Sequence, residues 1–168
     1  MLNASVTRQG KPYPPDSVAD LQILPGVTQA LLDLRAAGYI NIVVTNQPDV
    51  GAGKQRIEVV EAMNDRLRAE LSLDDVKVCY HTDGQNCVCR KPKAGMLLEA
   101  AKEYGIDLSK SFLVGDRWRD VAAGQAAGCS CFFVDYKYDE KRPDKPYVPV
   151  KSLPEAVDLI LSIARFSR

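Results

Sequence analysis

The 168-residue sequence predicts an α/β fold in which helices cover both faces of a parallel sheet. Apolar runs of about five residues alternate with stretches of helical periodicity, and these short runs contain few charged residues. Polar residues follow several of the short runs directly. Because ligands bind beyond the carboxyl ends of the strands in parallel sheets, the same pattern predicts where the functional site lies.

Helices and strands alternate from residue 27 onwards. We predict helices beginning near Val27, Lys54, Ala94, Trp118 and Leu153, and strands at 40–44, 76–80, 111–114 and 131–134. Gly38 is a plausible stop for the first helix. The run at 40–44 is rich in β-branched residues, so we expect a strand buried on both faces. No internal repeat is visible, and we predict one domain over residues 1–168.

Proline is concentrated near the two ends of the sequence. Three prolines fall within residues 12–15 and three within residues 143–149. Because proline removes a backbone donor, we expect both stretches to be irregular.

Composition and charge exclude several classes of function. The 22 Lys and Arg residues balance 22 Asp and Glu residues, which indicates no general surface for nucleic acid or other polyanions. No apolar run approaches the ~20 residues that a membrane helix needs, and residues 1–8 lack the layout of a secretory signal. We therefore expect a cytoplasmic monomer with neither nucleic acid nor membrane as a partner.

A cluster of metal-binding residue types follows the second predicted strand. Cys79 and His81 are separated by five residues from Cys87 and Cys89. In a reducing compartment this spacing favours a metal site over disulfides. Four thiolate and imidazole ligands close a tetrahedral zinc site, so we expect the zinc to be structural. The alternative is three reduced core cysteines beside a surface histidine.

Two polar segments could bind an anion. The basic run 90–93 begins directly after Cys89, and its Arg90 and Lys91 could grip a phosphate; the alternative is a solvated run of charge. Thr45 and Asn46 follow the first predicted strand, where a hydroxyl and an exposed backbone amide could bind a phosphate oxygen.

A possible cation ligand follows the strand at 111–114. Asp116 lies directly after Gly115, where its carboxylate could hold Mg²⁺, although an aspartate there could equally be only a helix N-cap. Asp120 lies one helical turn later on the same side. Trp118 could be part of the packing or a lip of the site, and the sequence does not decide between them.

Taken together, these segments resemble subfamily IIIA of the haloacid dehalogenase (HAD) phosphatases over nearly the whole chain. The likeness lies in GKPYPP, LPGV, VVTNQ, CYH…CVCRKPKAGMLLEAA, FLVGDRWRD and AAGC. The cysteine and histidine loop that runs into Arg-Lys-Pro is the most specific of these segments. The resemblance implies a three-layer Rossmann-like fold with a zinc-binding loop and no large cap domain.

The resemblance also implies a Mg²⁺-dependent phosphoric monoester hydrolase. Thr45 and Asn46 would bind the transferring phosphoryl group, and Lys91 would neutralise its developing charge. Arg90 would orient the substrate, and Asp116 would hold Mg²⁺. The ligands of a structural zinc ion would be Cys79, His81, Cys87 and Cys89. Such a mechanism is physically sound, because phosphoryl transfer depends mostly on positioning and on cations.

The substrate that the resemblance implies is a small sugar phosphate. Our first expectation is D-glycero-D-manno-heptose 1,7-bisphosphate, which would lose its 7-phosphate, and histidinol phosphate is the alternative. An alternative from another class is a catalytically inactive domain that binds a phosphate or a partner.

The sequence departs from the family pattern at its start. The family begins with a central strand ending in Asp-x-Asp-Gly, which provides the nucleophile and the general acid and base, and Met1-Leu2-Asn3 aligns with the tail of that motif. We therefore expect this strand to be absent here, leaving its neighbours with unpaired N–H and C=O groups. A misplaced start would explain this, with the strand encoded in frame directly upstream of Met1.

Overall fold

Strands and helices alternate along the chain in the order that the sequence predicts. The computed structural model describes residues 1–8 and 11–166, so Gly10 of the GKPYPP segment lies outside the described residues. The strands are β1 (Val6–Arg8), β2 (Lys11–Tyr13), β3 (Ile42–Asn46), β4 (Asp75–Cys79), β5 (Phe112–Gly115), β6 (Ser130–Val134) and β7 (Val148–Val150). The helices are α1 (Val27–Ala36), α2 (Pro48–Gly51), α3 (Ile57–Glu70), α4 (Gly95–Tyr104), α5 (Trp118–Ala127) and α6 (Leu153–Phe166).

The parallel strands form two groups. Strand β3 pairs with β4, and β5 pairs with β6, which in turn pairs with β7; all three pairings are parallel. Strands β1 and β2 form a separate antiparallel pair. The predicted α/β class with parallel strands is confirmed. Within the described residues no strand pairing joins β3 to β5, so each of these strands has one unpaired edge.

The unpaired edge changes the environment of β3. The sequence predicts a strand at 40–44 buried on both faces, but β3 runs from Ile42 to Asn46 and all five of its residues are only half-buried. The apolar, β-branched composition correctly predicts a strand. The predicted burial on both faces is wrong, because within the described residues no strand pairing covers the edge of β3 that faces β5.

Short strands form in both proline-containing stretches, which the sequence led us to expect as irregular. Strand β2 contains Pro12 and strand β7 contains Pro149. Strand β7 lies at the outer edge of its group. Proline is tolerated in edge strands because an outward-facing residue there needs no ladder donor. The prediction was therefore wrong at these two positions.

The main apolar core lies where α1 and α6 pack against the β5–β6–β7 group. Leu31, Phe132 and Ile160 are all buried in it, and each such side chain contributes about 1.5–3 kcal/mol when removed from water. Helix α1 ends as predicted: Gly38 has φ +88°, and the Tyr39 N–H donates to the Leu34 carbonyl at 3.0 Å. This bond belongs to a Schellman motif, which fixes the direction of the chain into β3.

Within residues 1–8 and 11–166, none of the helices combines the length and the hydropathy that a bilayer span requires.

Candidate functional site

The carboxyl ends of β3 and β5 meet around the side chain of Lys91. Its Nζ donates to the carbonyl oxygen of Val44 on β3 at 2.6 Å. The same Nζ lies 2.6 Å from Oδ1 of Asp120, in the first turn of α5 after β5. Only 12% of the Lys91 side chain and 11% of the Asp120 side chain are exposed. The ammonium group therefore bridges the two groups of strands where the polar residues were predicted to gather.

Asn46 holds the backbone of Lys91 in place. Its Nδ2 donates to the Lys91 carbonyl at 3.0 Å, and its Oδ1 accepts from the Lys91 N–H at 3.1 Å. The Asn46 side chain is therefore a positioning group, whereas its backbone N–H faces away from β4. Beside it, the Thr45 hydroxyl accepts a hydrogen bond from Gln47 Nε2 at 3.3 Å. Thr45, Asn46, Lys91, Asp116 and Asp120 together are called the strand-end site below.

Asp116 lies across the strand-end site, directly after β5. Its Oδ2 accepts from the Tyr138 hydroxyl at 3.2 Å and lies 3.5 Å from the amino nitrogen of Met1. Burial, together with the neighbouring Asp116 carboxylate, raises the pKa of Tyr138 to about 12, so this hydroxyl remains a donor at neutral pH.

The structure separates the two alternatives for Asp116. The N-cap of α5 is Arg117, and its N–H donates to Asp120 Oδ2 at 3.0 Å. Capping is therefore done by Asp120, which satisfies a free N–H of the helix start. The Asp116 carboxylate takes no part in the cap and remains at the mouth of the site. Within the described residues, Asp116 belongs to no group of three or more potential metal-ligating side chains.

Gly115 allows the close approach between β5 and the start of α5. A Cβ added to Gly115 would lie 2.3 Å from the Cβ of Asp120. Neither atom is at the end of a flexible side chain, so the backbone itself would have to move. Glycine at this position therefore lets Asp120 reach Lys91.

We expect Gly115→Ala to destabilise the protein by about 1–3 kcal/mol, because the added methyl overpacks against Asp120. The measurement is the free energy of unfolding in urea. Gly84→Ala is the matched control: Gly84 is exposed, and its added Cβ meets nothing within 4 Å, so its effect should stay within about 0.5 kcal/mol. Equal effects of the two variants would contradict this account of Gly115.

The four predicted zinc ligands converge on one point. Their ligand atoms all lie within 4.8 Å of one another. The Sγ atom of Cys79 lies 3.7 Å from Cys87 Sγ, 3.6 Å from His81 Nδ1 and 3.0 Å from Cys89 Sγ. Tetrahedral zinc with Zn–S bonds of about 2.3 Å sets its sulfur ligands about 3.8 Å apart. The donor set and most of its spacings therefore fit a zinc ion better than three reduced core cysteines that lie beside a surface histidine by coincidence.

The thiols also have perturbed protonation. Burial, followed by hydrogen bonds to the Cys79 and Cys87 thiols, raises the pKa of Cys89 to about 12. Burial would also raise the pKa of Cys87, but hydrogen bonding, first from the Arg90 backbone, outweighs it and lowers that pKa. Several thiolates this close repel one another, so a cation among them is what would allow all three to ionise.

Arg90 and Lys93 contact the loop that carries the Cys/His cluster, residues 79–89. Arg90 Nε donates to Asp83 Oδ1 at 2.7 Å, and its guanidinium also donates to the His81 carbonyl at 3.1 Å. Lys93 Nζ donates to the Cys87 carbonyl at 2.7 Å. The basic run is therefore divided: Lys91 reaches the strand ends, while Arg90 and Lys93 contact the Cys/His loop.

A cavity adjoins Asp116. It has a volume of about 200 Å³, and its walls include Trp118, Tyr138 and Lys141. The Nζ of Lys141 lies 3.9 Å from the centre of the Trp118 ring. Trp118 is thus a wall of the cavity beside the site, which answers the question that the sequence left open.

Sequence reasoning missed several residues around the site. Tyr138 contacts Asp116, Glu140 pairs with Arg117, and Asp83 accepts from both Arg90 and Arg119. The only signal for Tyr138 was the alternation of charged and aromatic residues at 135–138, which does not specify a partner.

Comparison with known proteins agrees with this architecture. The HAD-hydrolase-like family model matches residues 88–156. D-glycero-beta-D-manno-heptose-1,7-bisphosphate 7-phosphatase from Pasteurella multocida is 40% identical over 66% of this chain and 66% of that protein. The enzyme of the same name from Helicobacter pylori is 31% identical over 84% of each chain. The crystal structure of D,D-heptose 1,7-bisphosphate phosphatase from B. bronchiseptica, complexed with magnesium and phosphate, superposes with a TM-score of 0.79 at 26% identity over 88% of each chain.

The fold and these similarities define the chain as a HAD-like hydrolase. Within that class it belongs to the family of the D-glycero-beta-D-manno-heptose-1,7-bisphosphate 7-phosphatases, as the resemblance in the sequence indicated.

Proposed function

We propose that the strand-end site binds a phosphomonoester of D-glycero-D-manno-heptose 1,7-bisphosphate and serves in removing its 7-phosphate. The observation that carries the proposal is the position of Lys91, whose ammonium group lies between the carboxyl ends of β3 and β5. The names of the relatives support the heptose bisphosphate over histidinol phosphate.

The residues of the site suit a phosphoryl group. The Thr45 hydroxyl and the Asn46 backbone N–H would donate to two of its oxygens, and Lys91 would neutralise charge that develops on the third. Asn46 fixes the Lys91 backbone through two hydrogen bonds, so the ammonium group is preorganised. Preorganisation matters because phosphoryl transfer is catalysed mainly by positioning and electrostatics.

Asp116 would hold the magnesium ion, as the single side chain of the strand-end site that serves as its ligand. Mg²⁺ is commonly bound by one or two carboxylates together with water and substrate phosphates. Both carboxylate oxygens of Asp120 are occupied, by Lys91 and by the Arg117 N–H. The contacts of Asp116 with Tyr138 and Met1 are both made by its Oδ2, so Asp116 is the better-placed ligand. When bound, Mg²⁺ supplies positive charge to the phosphate oxygens.

The proposed reaction also needs a nucleophile. The family resemblance implies an aspartate that attacks phosphorus and breaks the bond to the sugar oxygen, which takes a proton; water then releases phosphate from the aspartyl-phosphate. The 168 residues contain no Asp-x-Asp pair. We therefore expect this chain to bind phosphate without turning over, unless a strand with such a pair is added.

The experiment compares phosphate release by two proteins on both substrates. One is the 168-residue chain, and the other has an apolar strand ending in Asp-x-Asp-Gly joined ahead of Met1. We expect phosphate release from heptose bisphosphate only by the extended protein. Its release from heptose bisphosphate should be at least ten times faster than from histidinol phosphate, because a tenfold preference needs a difference of only about 1.4 kcal/mol in binding free energy.

The matched control is the same extension with Asn in place of its first Asp, which should be inactive because the amide cannot form the acyl phosphate. An inactive extended protein that still binds inorganic phosphate would overturn the proposal in favour of a phosphate-binding or partner-binding domain.

We also propose that Cys79, His81, Cys87 and Cys89 hold a structural zinc ion. Four protein ligands leave no position open for substrate, so the ion would fix the loop from which Lys91 extends. Such a site needs reduced thiols, and all five cysteines of the chain are free. This supports a reducing compartment such as the cytoplasm as the place of action.

A further inference from the structure

The loop after β6 reaches back to the strand-end site. Residues 135–142, called here the post-β6 loop, follow the carboxyl end of β6, which pairs in parallel with β5. Because neighbouring parallel strands end at the same edge of a sheet, this loop begins beside Asp116, the residue that follows β5. Tyr138 of the loop contacts Asp116 and lines the cavity next to it. The reaction proposed for the site uses no residue of this loop.

The Tyr138 hydroxyl lies between two other side-chain oxygen atoms. It donates to Asp116 Oδ2 at 3.2 Å, and it lies 3.1 Å from Ser5 Oγ. A phenol has a single hydroxyl proton and a carboxylate only accepts, so the Ser5 hydroxyl must donate to Tyr138. The three side chains therefore form a directed chain of hydrogen bonds that ends on Asp116.

This chain of hydrogen bonds leaves one oxygen of Asp116 free. The Met1 amino nitrogen also lies beside Oδ2, at 3.5 Å. Within residues 1–8 and 11–166, no hydrogen bond or ion pair reaches Oδ1 of this carboxylate. A donor that holds one oxygen of a metal ligand fixes the orientation of the whole group. The Tyr138 hydroxyl thus orients Asp116 with Oδ1 available to a cation.

Contacts on both sides of Tyr138 hold the post-β6 loop in place. Asp135 accepts from the Lys137 N–H at 2.9 Å and from Lys137 Nζ at 2.6 Å. On the other side, Glu140 accepts from Arg117 Nε at 2.7 Å. Lys137 has φ +59°, a left-handed conformation that persists in residues other than glycine only where the surrounding contacts impose it. The phenol is therefore preorganised beside Asp116.

We propose that Tyr138 is a positioning residue for the magnesium ligand, and that Ser5 holds its hydroxyl in the required direction. The inference rests on the magnesium site proposed for Asp116. Residues that orient a metal ligand commonly change metal affinity by about 10–100-fold when they are replaced. Phenylalanine at position 138 would keep the ring and its contact with Tyr136, whose ring centre lies 5.7 Å away, and would remove only the donor.

The test measures Mg²⁺ binding to the 168-residue chain by titration calorimetry. We expect Tyr138→Phe to raise the dissociation constant about tenfold, because Asp116 loses the donor that orients it. Tyr136→Phe is the matched control and should leave the constant unchanged, since the Tyr136 hydroxyl bonds to no group of the described residues. The Met1 amino group is present in every variant, so its charge cancels from the comparison.

Ser5→Ala tests the same hydrogen bonds from their exposed end, where a substitution does not disturb the core. We expect it to raise the Mg²⁺ dissociation constant about threefold, the effect of one hydrogen bond. Because Ser5 acts through the phenol, adding Ser5→Ala to Tyr138→Phe should weaken binding no further. Effects that multiplied in the double variant would overturn the proposed order of the three groups. This measurement stands even if Tyr138→Phe folds poorly.

Asp116→Asn distinguishes failure of this inference from failure of the magnesium site. If this variant binds Mg²⁺ as the wild-type chain does, or if neither binds it, the site at Asp116 is wrong and the inference about Tyr138 falls with it. If Asp116→Asn loses Mg²⁺ binding while Tyr138→Phe keeps the wild-type affinity, only the inference about Tyr138 is overturned. Equal weakening by Tyr136→Phe and Tyr138→Phe would also overturn it, because ring packing would then position Asp116 without the hydroxyl.

Discussion

Replacing Cys89 with serine should abolish the proposed zinc binding and loosen the loop at 82–93. Cys89 Sγ lies 3.0 Å from Cys79 Sγ and 3.3 Å from His81 Nδ1, so the variant removes one corner of the cluster. Structural zinc sites contribute on the order of 10 kcal/mol to the order of their surroundings. We expect zinc content to fall from about one ion per chain to a small fraction of that value, as measured by elemental analysis.

Cys129→Ser is the matched control, since this cysteine is half-exposed and lies outside the zinc cluster. It should keep the zinc ion and the wild-type exchange rates in the loop at 82–93. Removing zinc from the wild-type chain with a chelator should reproduce the Cys89→Ser exchange pattern. A wild-type protein purified without zinc, or a Cys89→Ser variant that retains it, would contradict the assignment of this cluster.

The sequence was sufficient for elements whose signals are local. Helix α5 begins at the predicted Trp118, and α4 begins within a residue of its predicted start at Ala94. Their periodicity and their stops at Gly128 and Gly105 depend only on neighbouring residues. The convergence of Cys79, His81, Cys87 and Cys89 was predictable for the same reason, because the four residues span only a short stretch of chain.

The strands in the proline-containing stretches could not be predicted, because their formation depends on distant partners. Strand β7 exists through its pairing with β6, which aligns Phe132 with Val148 and Val134 with Val150. Nothing local to 148–150 indicates that partner, and Pro149 argues against a strand unless its edge position is known.

The functions of individual side chains at the site were equally non-local. The Asn46 side chain holds the Lys91 backbone, 45 residues away in sequence, a contact that no local pattern indicates. The guanidinium of Arg90 donates a hydrogen bond to Asp83, which holds it beside the Cys/His loop. The sequence pattern identifies which residue types gather at the strand ends, whereas the contacts that each side chain makes depend on packing.

Lys91→Met has the largest effect that we expect at the strand-end site. The substitution keeps the length of the side chain but removes the charge next to the transferring group, so phosphate release by the strand-extended protein should fall by about 10²-fold or more. Binding of inorganic phosphate to the 168-residue chain should weaken about tenfold, which is a second measurement independent of turnover. Lys102→Met, an exposed lysine in the last turn of α4, is the charge-matched control and should leave both unchanged.

A second substitution separates the effect on function from the effect on stability. Lys91→Met leaves the largely buried Asp120 carboxylate without its cation, which should cost about 3 kcal/mol in the free energy of unfolding. Adding Asp120→Asn removes the unpaired charge while keeping an oxygen for the Arg117 N–H. We therefore expect the double variant to regain most of the stability but none of the phosphate binding. If phosphate binding returned together with stability, Lys91 would be a structural residue and the proposed electrostatic function would be wrong.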